Sequence, residues 1–271
     1  MSVESKKVNY YILFPVLLFS SLAFATIDLD TVGPTLLVMV VTVIIATAAL
    51  WIYKLLRPVP AKRFGVYMQS HIRYNTYMGL MLMGPLFGPK GVQLFAMIMV
   101  VAIPLVNAIS IVALTEGNGL SIKQTIWSVV KNPLILGSVG GFLFNLTGIE
   151  IFSGLKEFMQ LTGKTCLFLG LLCIGSGLQF RALRTALPQL SANTIGRLLL
   201  MPLLAFGVAY AFGLDDFETT VLVVFFGLPT ATAAYILTKM MNGDSELMAG
   251  IISLQTLCFA LSFPLLMWFL Q

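Results

Sequence analysis

Two short stretches of the chain hold the residue types that can do chemistry. The first, Ser70-His71-Ile72-Arg73-Tyr74-Asn75-Thr76-Tyr77-Met78-Gly79-Leu80, contains the only histidine and an arginine, set between apolar runs. Hydrocarbon cannot solvate a guanidinium. Arg73 therefore either faces a cavity, a water file or an acceptor, or reaches back to a polar interface about ten residues away. His71 reads as an interfacial or hydrogen-bonded histidine. The second stretch, Phe226-Gly227-Leu228-Pro229-Thr230-Ala231-Thr232-Ala233-Ala234-Tyr235, puts a proline in the middle of an apolar helix pattern. Pro229 removes a backbone donor and clashes with the preceding turn, so the helix must kink or open there. A helix opened at membrane depth exposes N–H groups at one half-helix end, which attract anions, and C=O groups at the other, which attract cations.

Other polar residues fall where such an opening could use them. Asn107 follows Pro104 by three residues, and Gln255 with Thr256 lies midway along the last apolar run. Amides at that depth join helices or satisfy opened backbone. Asn9 and Asn145 lie nearer the ends of their runs, and Lys164 reads as a side chain reaching out to the interface. Gly137 to Gly141 and Gly175-Ser176-Gly177 are small-residue surfaces that permit close helix approach. Asp244 or Ser245 can cap the last helix, while Asp28, Asp30, Asp215, Asp216 and Glu218 fall in turns outside the membrane. Reactive constellations are missing: there is no paired-histidine metal motif, GxSxG elbow, Walker loop or deep carboxylate pair. Cys166, Cys173 and Cys258 sit in apolar runs without paired spacing, which argues against a zinc site or a disulfide framework. No catalysis, metal or cofactor is expected.

The elements that must position these residues follow from composition. Of 271 residues, 58% are apolar and 10% charged, with a mean hydropathy of +0.95. A soluble domain has roughly a quarter of its residues charged, so this chain is read as an all-α polytopic membrane protein with the bilayer as its solvent. Disorder, nucleic-acid binding and a secreted disulfide scaffold are excluded by the same balance. Windows of about twenty residues mark nine spans, near 8–27, 34–56, 64–87, 91–115, 124–147, 152–178, 192–213, 219–241 and 245–270. With a cytoplasmic N-terminus, twelve of the sixteen basic residues fall inside, among them Lys6, Lys7, Lys54, Arg57, Lys62, Arg63, Lys123, Lys131, Arg181, Arg184, Arg197 and Lys239. That asymmetry predicts an N-in, C-out orientation.

Three landmarks recur: Pro15 against Gly170, Gly79-Leu80 against Gly227-Leu228, and Pro104-Leu105 against Pro264-Leu265, at separations of 155, 148 and 160 residues. They suggest two homologous halves, 1–120 and 121–271, in opposite orientation, each with one interrupted helix. The second half offers five spans and the first only four, so the first half is read as lacking one helix of a five-plus-five design.

The ordered series Phe14-Pro15-Val16-Leu17-Leu18-Phe19, Arg73-Tyr74-Asn75-Thr76-Tyr77-Met78-Gly79-Leu80, Pro104-Leu105-Val106-Asn107, Lys131-Asn132-Pro133-Leu134, Gly227-Leu228-Pro229-Thr230-Ala231 and Ser253-Leu254-Gln255-Thr256 resembles the auxin efflux carrier family, particularly its bacterial permeases. The resemblance implies inverted five-helix repeats, a scaffold and a transport domain, two crossed broken helices, and elevator-like alternating access. It also implies a small organic anion, a mono- or dicarboxylate, as substrate. Carried over by position, the first crossover falls on Asn75 to Met81 and the second on Gly227 to Thr232. Two departures from the family's pattern are read here: its first helix is taken to be missing, and the usual Gly-x-Pro of the first crossover is Gly79-Leu80-Met81. On this reading Arg73 and the half-helix N-termini supply positive field, and Asn75, Thr76, Tyr77, Thr230, Thr232 and Tyr235 orient the anion. Gly79, Gly227 and Pro229 shape the breaks, and Asn107 and Gln255 satisfy opened backbone. The expected setting is the cell membrane, with a homodimer compatible; a channel or a ligand sensor on the same scaffold is the alternative.

Overall fold

The structure, a computed structural model, describes residues 8–24, 29–115, 127, 130–131, 133–149, 151–159, 161–162, 165, 183 and 186–270. Lys164, Cys166, Cys173, Gly175-Ser176-Gly177 and the basic residues Lys6, Lys7, Lys123, Arg181 and Arg184 lie outside the described residues, as does most of the span expected at 152–178. Among the described residues every regular element is helical. In chain order these are α1 (Phe14–Ala23), entered through a π turn at Asn9–Leu13, α2 (Leu29–Leu56), α3 (Ala61–Ile72), α4 (Thr76–Thr115) and α5 (Pro133–Leu146). There follow α6 (Leu187–Ile195), a π turn at Gly196–Leu200, α7 (Met201–Ala211), α8 (Asp216–Gly227), α9 (Ala233–Met240) and α10 (Ser245–Phe269).

Four stretches are long and apolar enough to cross a membrane, by length and composition: Val32–Leu56, Ala61–Leu114, Leu187–Ala211 and Ser245–Phe269. The second has 54 residues, about 80 Å if it were one straight helix, against a hydrocarbon core of about 30 Å. It is divided instead. The chain leaves helical conformation at Arg73–Asn75 and again at Gly88, whose φ of 64° suits glycine, with Pro89 following as it commonly does after a helix end. The boundary at Gly88 lies where the sequence separates the spans 64–87 and 91–115. Caps follow from residue type: the Asp215 carboxylate accepts from the Glu218 N–H at 2.7 Å, and that of Asp244 from the Leu247 N–H at 3.1 Å.

The chain forms two compact units. One comprises Met1–Gly33, Tyr77–Pro104 and Ile122–Ser176; the other comprises Pro34–Thr76, Leu105–Ser121 and Gly177–Gln271. Each draws on both sequence halves. In the first unit α1 lies against α5, and glycine makes the approach possible. A Cβ at Gly141 would stand 2.8 Å from the Phe19 Cα, and one at Gly137 would stand 2.7 Å from the Pro15 Cα. The Asn145 amide donates to the Ala23 carbonyl at 3.1 Å, joining the same two helices.

In the second unit α3 runs antiparallel to α9. The Asp244 N–H donates to the Lys62 carbonyl at one end, and the Gln69 amide to Thr238 Oγ1 at 2.9 Å further along. Val66, Leu190, Ala234, Leu247, Met248, Ile251 and Ile252 form the apolar core around this pair, with Tyr235 packed on its edge. The outward faces are apolar as well: Leu37, Ile44, Ile52 and Leu55 on α2 and Leu261, Leu265 and Trp268 on α10 are exposed. Polar side chains turned inward and aliphatic ones outward are the arrangement a lipid solvent demands.

Three expectations are corrected here. The first interruption is not at Gly79-Leu80, which is helical within α4, but at Arg73–Asn75, because partners elsewhere in the fold take over the backbone groups there. Glu218 is not a solvated turn residue like Asp215 and Asp216; the first turn of α8 buries it. Arg197, counted among the cytoplasmic charges, is fully buried.

Candidate functional site: two interrupted helices

Both α3 and α8 have 12 residues, about 18 Å of helix and too little to cross a core of about 30 Å. Each ends with backbone in extended conformation: Arg73 at φ −84°, ψ 142° and Leu228 at φ −62°, ψ 142°. At Leu228 the cause is local, since the residue before a proline is driven out of the helical region. No proline acts on Arg73. There the cause is tertiary, because the two breaks bond to each other: the Asn75 N–H donates to the Pro229 carbonyl at 2.8 Å.

A buried polar network closes around that bond. Thr230 Oγ1 donates to the Ser70 carbonyl and the Thr230 N–H to Gln255 Oε1, both at 2.8 Å. The Gln255 amide nitrogen donates to the carbonyls of Ser70 and Asn193 at 3.4 and 3.3 Å. Ser70 Oγ donates to Asn193 Oδ1 at 2.7 Å. The Ser70 carbonyl and the Thr230 amide, which the interruptions would leave without helical partners, are thus served by the side chains of Thr230 and of Gln255 from α10. Arg73 itself donates from Nη1 to Asn107 Oδ1 at 2.8 Å, so its guanidinium has an acceptor within the protein.

The C-terminal ends of α3 and α8 share one cation. Arg197 is fully buried. Its Nε donates to the Leu228 carbonyl at 2.6 Å, its Nη1 to the His71 carbonyl and its Nη2 to the Phe225 carbonyl at 3.5 Å. The π turn Gly196–Leu200 presents it, and such turns widen a helix at functional positions. Gly196 is required beside it, because a Cβ there would collide with the His71 imidazole ring. The ring in turn is fixed by a hydrogen bond between Nδ1 and the Tyr67 carbonyl at 2.8 Å. Tyr74 packs on Phe225 with the rings tilted and their centroids 4.2 Å apart, setting the α3 break against the end of α8. Among the described residues no cluster of His, Cys, Asp and Glu could hold a metal ion.

A sequence model described as membrane transport protein matches residues 6–267, nearly the whole chain. The chain belongs to this membrane transport family, the family of the auxin efflux carriers. A search of curated proteins finds no match. Membership and the apolar helices together make the chain a multi-pass membrane transporter.

Within this family member the sequence-predicted residues divide into four groups. Arg73, Asn75, Asn107, Pro229, Thr230 and Gln255 are joined by the hydrogen bonds above, and Gly227 ends α8, where a Cβ would meet Leu266 Cδ2 at 2.7 Å and displace that side chain. Thr76 opens α4, and Thr232 precedes α9 without a side-chain cap bond. Tyr235 packs on the apolar core of its unit. Tyr77 and Gly79 belong to the other compact unit, as helical residues of α4. Sequence reasoning missed Arg197, Asn193 and Gln69, and took Ser70 only as the start of the polar stretch. The signal for Arg197 was in hand: it lies inside the span 192–213, and the argument applied to Arg73 holds for it equally.

Proposed function

We propose that this family member is a secondary carrier of a small organic anion, a mono- or dicarboxylate, working by alternating access in the cell membrane. One observation carries the reading: two helices too short to cross stop at points that bond to each other, Asn75 to Pro229. Interruptions paired in this way lie near the bilayer midplane, where an opened backbone is tolerated only beside a solute path. The first turns beyond the breaks, starting at Thr76 and Ala233, contain no acidic residue. Their partial positive charge therefore favours an anion. Arg73 adds a full charge, and Asn75, Thr76, Thr230 and Thr232 orient the solute by hydrogen bonds. The division into two compact units, each taking segments from both sequence halves, supports an elevator-like exchange of access.

Counterflow in proteoliposomes, screened over mono- and dicarboxylates, tests the proposal. Saturable exchange is expected, with Arg73→Gln raising the half-saturating concentration roughly tenfold or more, as loss of a charge-assisted hydrogen bond predicts. Flux without saturation or exchange identifies a channel, and binding without flux a sensor. Unchanged affinity in Arg73→Gln removes Arg73 from the site.

A further inference from the structure

We infer that Arg197 is a resident cation, a positioning residue whose fixed charge occupies the place at the two half-helix C-terminal ends that a mobile cation would otherwise have to fill. The consequence for transport rests on the carrier reading above; the binding chemistry stands on the geometry alone. A helix C-terminus carries roughly half a negative charge, so the ends of α3 and α8 together present about one, matched by one guanidinium. All three hydrogen bonds of Arg197 go to backbone carbonyls, those of His71, Phe225 and Leu228, and none goes to a carboxylate. Among the acids whose burial the structure describes, the buried one is Glu218, nine positions before Gly227 at the other end of α8, about 13 Å away along the helix. Backbone dipoles are therefore the counter-charge of Arg197.

The shape of the side chain matters as much as its sign. Carbonyls from two separate helices converge on three different nitrogens, which a planar fork of five donors can serve and a compact ammonium cannot. The π turn and the missing Cβ at Gly196 bring the fork to that spot. With these ends neutralised from within, the positive ends beyond the breaks keep their net attraction for an anion, and no cation needs to bind at the carbonyls first.

Thermal denaturation of the purified full chain in detergent tests this without knowledge of the substrate, so its outcome is independent of the transport screen. Wild type is expected to melt at the same temperature in sodium chloride and in choline chloride of equal ionic strength. Arg197→Ala is expected to melt about 10 °C lower, as loss of a buried charged partner predicts. Millimolar methylguanidinium chloride should restore more than half of that loss saturably, choline chloride none of it, and wild type should not respond. Saturable stabilisation of wild type by sodium, or equal response of Arg197→Ala to methylguanidinium and choline, overturns the inference. If the alanine variant does not fold, Arg197→Lys and Arg197→Met decide. They are similar in size and differ in charge, so the lysine variant should melt higher, and a methionine variant that equals or exceeds it overturns the inference.

Discussion

Gln255 shows how one residue can hold an interrupted helix together. Its carbonyl oxygen takes the Thr230 N–H while its amide reaches the carbonyls of Ser70 and Asn193. Gln255→Leu keeps the volume and removes all three bonds, leaving a buried N–H with no acceptor. A loss of about 1–3 kcal/mol is expected for that group, read as a lower melting temperature, together with faster hydrogen exchange at the Thr230 amide. Glu218 gives the opposite case, a charge the fold disfavours. Burial pushes its carboxyl above the usual range against an opposing interaction with Thr35, and the neighbouring Asp215 carboxylate adds to the rise. The unfolded chain then releases the proton more readily than the folded one, so stability falls as pH rises through the unfolded value, about 4.3, and on through the raised folded value. Glu218→Gln should therefore stabilise the protein at pH 8 and lose that advantage at pH 4, as melting curves at the two pH values will show.

At the scale of elements, close approach of α1 and α5 depends on two glycines. Gly141→Val sets a branched side chain against the Phe19 backbone, where a Cβ alone would already lie 2.8 Å from its Cα. Destabilisation of about 1–3 kcal/mol is expected from such overpacking, and Gly207→Ala, whose Cβ meets nothing within 4 Å, serves as the control in the same melting assay. This contact was legible in the sequence because small residues at helical spacing have few uses besides close packing. The break after α8 was legible for an equally local reason, Pro229. The break after α3 was misplaced at Gly79 because its cause is not local: Asn75 leaves the helix to bond Pro229, and the His71 carbonyl turns to Arg197. Tyr235, which the sequence marks as polar and near the break, packs its ring on the apolar core of its unit.

At the scale of the whole molecule, the composition already required a membrane protein, and the exposed aliphatic faces of α2 and α10 agree with it. Orientation remains a matter of charge. Lys62 and Arg63 open α3 beside Asp244, with Arg63 paired to that carboxylate at 3.2 Å, whereas Asp215 and Asp216 stand at the start of α8. With the native cysteines replaced, Lys62→Cys should react with an impermeant maleimide only from the cytoplasmic side and Asp216→Cys only from outside; the reverse pattern inverts the assigned topology. The pairing of Asn75 with Pro229 has a mechanical corollary as well. Proline has no amide hydrogen to give back, so this bridge is a one-way fastening where two ordinary residues could have exchanged a pair of bonds. That one main-chain bond, worth about 0.5–1.5 kcal/mol net, can spring open thermally and snap shut again while the Thr230–Ser70 bond and the Arg197 guanidinium keep both rods in register.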